Sequence, residues 1–517
     1  MSDEADTLGG RSTLADLAAV HPAQRETFAT NFVSLPDRRA DLDPNGPAVS
    51  DGTRSLTNAV LLECVRAARR HLDELGVGAG DVVALKLRNR VEFVVLLFAC
   101  WRLGATVTPV NRSLTEAEVM RQLEASGARL LVVEDGVSAL GAVATLAVGN
   151  LYAKGPGWDV PPPVDPSTLA LLIFTSGTTG VPKGVMLDHA NIDAMAEMGR
   201  QALDIAPADR CLLILPLFHV NGIVVSVLMP LLAGASVVII ERFDPHTFFD
   251  TVERHRPTYF SAVPTIYTML AALPDGVSPD TSSLRFGICG AAPASAELLS
   301  CFEARYGFPL IEGYGLSEAT CASTINPVAG GSRAGTVGIA FTGQQIRIID
   351  EAGAEVATGV DGQVTIAGPN VMRGYLGRAD ETARVIIDGW LHTGDVGHLD
   401  ADGYLTLVGR SKDMIIRGGE NIYPKEIEDV LTSDPAVLEA AVIGVPDEKW
   451  GETVAAYVQP RPGHTINVEG LHRICASKLA GYKRPTSITV WDAIPKNPVG
   501  KTDKAPLRAA HTKGTSL

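Results

Sequence analysis

Apolar positions along the chain keep two alternating rhythms. Over residues 56–75, Val60, Leu61, Cys64, Val65, Ala68 and Leu72 recur at helical spacing, and the glycines at 76, 78 and 80 end that run. A strand over 82–87, a helix over 90–103, a strand over 106–110, a helix starting near the cap-like residues 113–118 and a strand over 130–133 follow. The first 45 residues are polar and weakly periodic, with a helix expected near 23–32. After an apolar run at 169–174 a second series begins: strand 211–215, strand 236–240, helix 245–255, strand 259–263 and strand 284–289. Helices alternating with apolar strands predict α/β sheets with mainly parallel strands.

The rhythm then changes twice. Residues 335–409 are rich in strands and Asp-Gly turns, which predicts a β-rich subdomain. Beyond Gly409, strand 414–416, a helix starting at Pro424, strands 437–445 and 453–458, helix 468–479 and strand 487–490 predict a compact α+β unit of about 105 residues. The expected fold class is therefore α/β: a large N-terminal domain of α/β sheets plus a β-rich subdomain, over 1–409, and a smaller mobile α+β C-terminal domain over 413–517. A chain of 517 residues is too long for one ordinary core, in keeping with that division.

Charge and composition exclude several functions. A net charge of −15 argues against nucleic acid or an anionic membrane as partner. Residues 91–110 contain Glu92 and Arg102, and residues 212–240 are broken by Pro216, His219, Asn221 and Pro230, so neither apolar stretch suits a bilayer span. The acidic start of the chain does not read as a signal peptide. Seven cysteines without C-x-x-C spacing suit reduced thiols, which gives a cytoplasmic expectation.

The densest chemistry lies at Thr175, Ser176, Gly177, Thr178, Thr179, Gly180, Val181, Pro182, Lys183 and Gly184. Glycines let the backbone close around a ligand, while hydroxyls, amides and one ammonium supply donors without negative charge. A polyphosphate needs that set. A Walker loop would place Ser or Thr after the lysine to hold magnesium; here Gly184 follows. No zinc-type spacing and no G-x-S-x-G elbow occurs.

This stretch resembles the phosphate-binding motif of the adenylate-forming superfamily, which includes acyl-CoA and aryl-CoA synthetases, and further motifs occur in the family's order along nearly the whole chain. Gly290, Ala291, Ala292 and Pro293 resemble an adenine site. In Gly313, Tyr314, Gly315, Leu316, Ser317 and Glu318, an aromatic between two glycines is expected to be exposed enough to stack on a base; the resemblance implies that Tyr314 does so, with Gly315 among the cofactor-binding residues and Ser317 on a phosphate oxygen. It implies that Glu318 holds magnesium, a hard ligand for a hard cation. Asp395 and Arg410 resemble the ribose pair. Lys412 within 410–412 resembles the hinge, and Gly418, Gly419, Glu420 and Asn421 would line a channel for the pantetheine arm, Asn421 also near the nucleotide. Lys501 resembles the catalytic lysine of the C-terminal loop. A lysine beside Pro and Gly is ordinarily solvated surface; only the motif promotes it. Lys183 joins it as a catalytic cation. His219 is counted with both the catalytic and the substrate-binding residues, beside Val220, Asn221, Gly313 and Cys321. Gly290, Gly313 and Gly315 are expected to leave space near the acid.

The resemblance implies a carboxylate–CoA ligase. It would use ATP, Mg2+ and coenzyme A, convert a hydrophobic carboxylic acid to acyl-AMP and release pyrophosphate, then pass the acyl group to the CoA thiol with loss of AMP. Three alternatives stay open: loading of a carrier-protein thiol, an enzyme of the thioesterification half alone, and a non-catalytic nucleotide-binding scaffold. Monomer and homodimer are both open.

Overall fold

The computed structural model describes residues 31–138, 140–152, 161, 165–175, 182–292, 294–330, 332–418, 420–447, 449–496 and 501–513. Two large sheets form the body. One runs, in spatial order, Gly374–Tyr375, Lys183–Asp188, Leu169–Thr175, Thr106–Pro109, Val82–Lys86, Ala128–Val133 and Ala144–Ala147. The other has nine strands and is parallel from Pro47–Ser50 through Ser236–Ile239, Arg210–Leu213, Tyr259–Ala262 and Phe286–Cys289 to Leu310–Tyr314. The expected α/β class and most expected elements are present, with ends moved by one to three residues.

One apolar core takes residues from both sheets, among them Val83, Leu85, Cys211 and Leu213, and helix Val91–Arg102 runs through it with every residue buried. Its two charges are paired. Glu92 meets Arg54 at 2.8 Å and Arg90 at 2.7 Å, and Arg102 meets Asp37. Burial of a paired charge is tolerable where burial of a lone one is not.

The second long apolar stretch becomes a helical run over Val220–Ile223, Val224–Leu228 and Met229–Leu232 whose middle segment is a π-turn. Pro230 has no N–H for the carbonyl four residues earlier, and the widened turn absorbs that loss. No helix among the described residues is long and apolar enough to cross a membrane.

A five-stranded antiparallel sheet of Gln345–Ile349, Gly362–Ala367, Trp390–Leu399, Ile386–Ile387 and Leu405–Arg410 forms the β-rich part. The last sheet joins Glu420–Ile422, Ile415–Arg417, Gly451–Pro460, Val437–Asp447 and Ser487–Val490. Helices Pro424–Thr432, Val468–Lys478 and Lys504–Lys513 accompany it, the last unforeseen in the sequence. Its two apolar clusters draw only on residues from Ile415 onward, and the body's clusters stop at Leu407. The helix expected near 23–32 falls mainly outside the described residues; Asn31 caps the turn Phe32–Ser34, which leads into helix Leu35–Leu42.

Candidate active site

Thr175 and Lys183 are register partners at the mouth of an antiparallel hairpin. Ser176, Gly177, Thr178, Thr179 and Gly180, which join them, lie outside the described residues. Lys183 therefore starts a strand, not the helix that follows a Walker loop. Its Nζ lies 2.5 Å from Glu381 Oε2 and 5.0 Å from the centre of the Tyr375 ring. The Tyr375 hydroxyl donates to Glu318 Oε1 at 2.9 Å, which fixes one carboxylate oxygen. Glu318 sits in the turn Ser317–Ala319 with Ser317 half-buried at its start, and the Glu318 carbonyl accepts from the Met372 amide at 2.8 Å.

A second cluster has two buried members, Tyr314 and Asp395, and an exposed one, Arg410. The Tyr314 hydroxyl donates to Asp395 Oδ2 at 2.6 Å, and Arg410 Nε lies 2.7 Å from Asp395 Oδ1. Asp395 and Arg410 face each other as register partners on neighbouring strands. Asp395 is 4% exposed and Tyr314 9%. The expectation of an exposed Tyr314 is thus corrected: the neighbouring glycines do not bare the ring, because its strand lies inside the nine-stranded sheet, third from one edge, and its hydroxyl donates to the aspartate. Burial, then the Asp395 charge, raises the Tyr314 phenol well above its ordinary range. Gly290 follows strand Phe286–Cys289; Ala291 has φ 69°, a left-handed conformation that strains a residue with a Cβ. Ala292 is half-buried beside it, and Pro293 lies outside the described residues.

The glycines flanking Tyr314 serve packing, not open space. A Cβ on Gly315 would lie 2.1 Å from the Cys321 carbonyl, and one on Gly313 would lie 2.6 Å from the Ile325 side chain. The chain reaches that position through Thr320 at φ 51° and Cys321 at φ 99°, two left-handed residues in succession. The Cys321 thiol lies against the Asn221 amide, and burial pushes it up to about 12.

His219, Val220 and Asn221 begin the helical run described above. His219 Nε2 and Asn221 Oδ1 are buried and find no hydrogen-bond partner among the described residues. Burial, then the Lys501 charge, lowers the His219 imidazole to about 4, so it is neutral near pH 7. Burial and then the Arg410 charge lower the Lys501 ammonium, whereas Asp395 and Glu318 oppose that shift. Lys501, from the part of the chain beyond Arg410, thus lies close enough to Arg410, Asp395 and Glu318 to feel their charges, and His219 feels its own.

Lys412 lies exposed in the turn Ser411–Asp413 between the two sets of cores. Gly418 has φ 62°, and a Cβ there would lie 2.8 Å from the Trp450 ring. The room expected beside Gly418 is filled by Trp450 in this arrangement. Gly419 and the Asn421 side chain lie outside the description; Glu420 is exposed at the start of its strand.

Sequence reading missed Tyr375, Glu381 and Glu312. Glu312 is buried and accepts from the Ala294 amide at 2.9 Å, tying the Gly290 turn to the Tyr314 strand; burial raises it to about 7. Its position two residues before Tyr314 was the available signal. For Tyr375 the signal was weaker, an aromatic between Gly374 and Gly377.

The site's donor set suits magnesium bound to a polyphosphate. Among the described residues there is no cluster of three metal-ligating side chains, and Glu318 offers one hard oxygen beyond the one Tyr375 holds. Magnesium is commonly held by one or two carboxylates plus the substrate's phosphates.

Comparison with known proteins agrees. The AMP-binding enzyme family matches residues 36–376, and its C-terminal domain family matches 426–501. The chain belongs to the AMP-binding enzyme family. Over 483 residues it is 39% identical to a feruloyl-CoA synthase of Amycolatopsis sp, covering 92% of this chain and 98% of that one. It is 35% identical over 509 residues to the fatty acid–[acyl-carrier-protein] ligase ScoC of Streptomyces coeruleorubidus, covering 95% and 97%. The solved structure of O-succinylbenzoate coenzyme A synthetase from Bacillus subtilis with ATP and magnesium ion superposes with a TM-score of 0.82 at 31% identity, covering 92% and 98%.

Proposed function

We propose that this AMP-binding enzyme is a carboxylate–CoA ligase, AMP-forming, acting on a hydrophobic acid with ferulate-like aromatic acids as first candidates. It activates the acid with ATP and then acylates the CoA thiol. The observation that carries the reading is the convergence of Lys501, His219, Arg410, Asp395 and Glu318 from two separately cored parts of the chain. The 39% identity to a feruloyl-CoA synthase supports the acid class and acceptor.

In the first half-reaction the carboxylate oxygen attacks the α-phosphorus of ATP and pyrophosphate leaves. Lys501 would meet the carboxylate and the α-phosphate as charge moves between them. Such a positioned cation lowers the barrier without covalent chemistry. Asp395, steadied by Tyr314 and Arg410, would accept from the ribose hydroxyls. Lys183 and the 176–180 segment would hold the polyphosphate. Glu318 would hold magnesium, which neutralises phosphate charge when bound. Neutral His219 beside the acyl site would admit an uncharged chain, and its orphaned Nε2 offers a polar contact within an apolar wall.

The second half-reaction needs a path for the thiol, and Trp450 fills the space beside Gly418 here. We therefore assign the two units as 1–409 and 413–517 and infer a rotation about Lys412 that carries Lys501 away between halves. Seven free cysteines support a cytoplasmic location. The identity to ScoC keeps a carrier-protein acceptor as the second reading. Parallel assays with CoA and with a phosphopantetheinylated carrier protein separate the two: thioester on CoA is expected, and turnover on the carrier alone would select the second.

A further inference from the structure

The segment from Gly374 to Val385 joins the phosphate hairpin to Glu318. Gly374–Tyr375 pairs with Lys183–Asp188, setting Tyr375 opposite Val185, and the Leu376 amide donates to the Gly184 carbonyl at 2.8 Å. Helix Ala379–Val385 is clamped onto this strand: the Tyr375 amide donates to Thr382 Oγ1 at 2.9 Å. A Cβ on Gly374 would lie 2.6 Å from Thr382 Cγ2, so the Thr382 side chain packs directly onto the glycine. The strand pairing and the Thr382 clamp together set the helix that carries Glu381 beside Lys183.

Glu381 divides its carboxylate between two cations. Oε1 lies 2.5 Å from Arg378 Nη1 and Oε2 lies 2.5 Å from Lys183 Nζ. If Lys183 moves away, Arg378 remains and the carboxylate is not stranded. Lys183 also lies over the Tyr375 ring, a second weak hold that does not compete with a phosphate for hydrogen bonds.

We propose that Glu381 is a positioning residue, the resting counter-ion that holds Lys183 in the nucleotide-free enzyme and yields it to the ATP polyphosphate. It takes the lysine back when pyrophosphate leaves. The proposal rests on the ATP-using reading above. A half-exposed ion pair is weak enough to exchange, and a lysine parked on Glu381 lowers apparent phosphate affinity by the fraction of time it is parked.

The test is calorimetric binding of ATP, pyrophosphate and AMP to the full chain, with Glu381→Gln, Lys183→Ala and the double variant alongside the wild type. Glu381→Gln is expected to tighten ATP and pyrophosphate about 2- to 5-fold while AMP, which lacks the β- and γ-phosphates, is unchanged. The gain disappears in the Lys183→Ala background. Thermal melting of each variant checks the fold. Unchanged or weaker binding of pyrophosphate by a folded Glu381→Gln, or a gain that persists without Lys183, would overturn the proposal. If the wild type bound neither ATP nor pyrophosphate, the nucleotide reading would fall and this proposal with it; binding by the wild type with no response to Glu381→Gln sinks the proposal alone.

Discussion

The two ends of the nucleotide site are built differently. At the proposed ribose end, the buried Asp395 is held on one oxygen by the buried Tyr314 hydroxyl and on the other by the exposed Arg410 guanidinium. At the phosphate end, Lys183 rests on Glu381 and only one oxygen of Glu318 is fixed. On the proposed assignment, the common part of ATP and AMP would meet the preorganised end, and the part that leaves as pyrophosphate would meet exchangeable ion pairs. Preorganisation suits a group retained through both half-reactions, and weak pairing suits one that must depart. Lys501 senses charges from both ends.

The largest expected effect is at that shared lysine. Lys501→Ala slows adenylation about 100- to 1,000-fold, with ATP affinity largely retained. Rapid-quench measurement of acid-dependent pyrophosphate release at saturating substrates checks it; near-normal turnover would remove Lys501 from the chemistry.

Breaking the ribose end comes next. Asp395→Ala strands the Tyr314 hydroxyl and Arg410, and is expected to weaken ATP and AMP by the same factor, about 10- to 100-fold. Titration of both nucleotides decides it, and an unchanged AMP affinity would contradict the assignment. The phosphate end responds selectively instead. Tyr375→Phe frees the fixed oxygen of Glu318 and raises the magnesium needed for ATP binding about 10-fold, with Glu318→Gln raising it further. A magnesium titration of ATP binding reads both; equal magnesium curves for wild type and Tyr375→Phe would separate Tyr375 from the metal.

The remaining effect is on stability rather than on binding, away from the site. His189 sits edge-on to Trp101 with Nε2 unpartnered, and burial lowers it from 6.5 to about 4. The unfolded chain takes up this proton near pH 6.5 and the folded one near 4, so the contribution is complete above 6.5 and is lost as pH falls through that window. Its size is about 3 kcal/mol. Glu312, raised from 4.5 to about 7, acts with opposite sign over pH 4.5–7. His189→Phe keeps the ring shape and should flatten the acid side of the stability curve, as urea midpoints at pH 7.5, 6 and 5 would show.

Sequence alone went far because strands and helices here alternate with strong periodicity, so element ends moved by few residues. Lys183, Glu318, Asp395, Arg410 and Lys501 stood out as candidates because each lies in a patterned motif. Glu381 was not, since a glutamate three residues from an arginine reads as an ordinary helix pair until the fold brings Lys183 to it. The role of Gly313 and Gly315 was also hidden: only the return of residues 321–325 onto the same strand shows what occupies the missing Cβ. Tyr314 was misjudged because glycine neighbours say nothing about the depth of a strand within its sheet.

The most direct measurement follows both products in one single-turnover experiment with ATP, magnesium, a panel of hydrophobic acids led by ferulate, and CoA added at a second mixing. Acid-dependent pyrophosphate and enzyme-bound acyl-AMP are expected before CoA arrives, then acyl-CoA and AMP in equal amounts. Acyl-CoA formed only from synthetic acyl-AMP, with no pyrophosphate released from ATP by any acid, would contradict it.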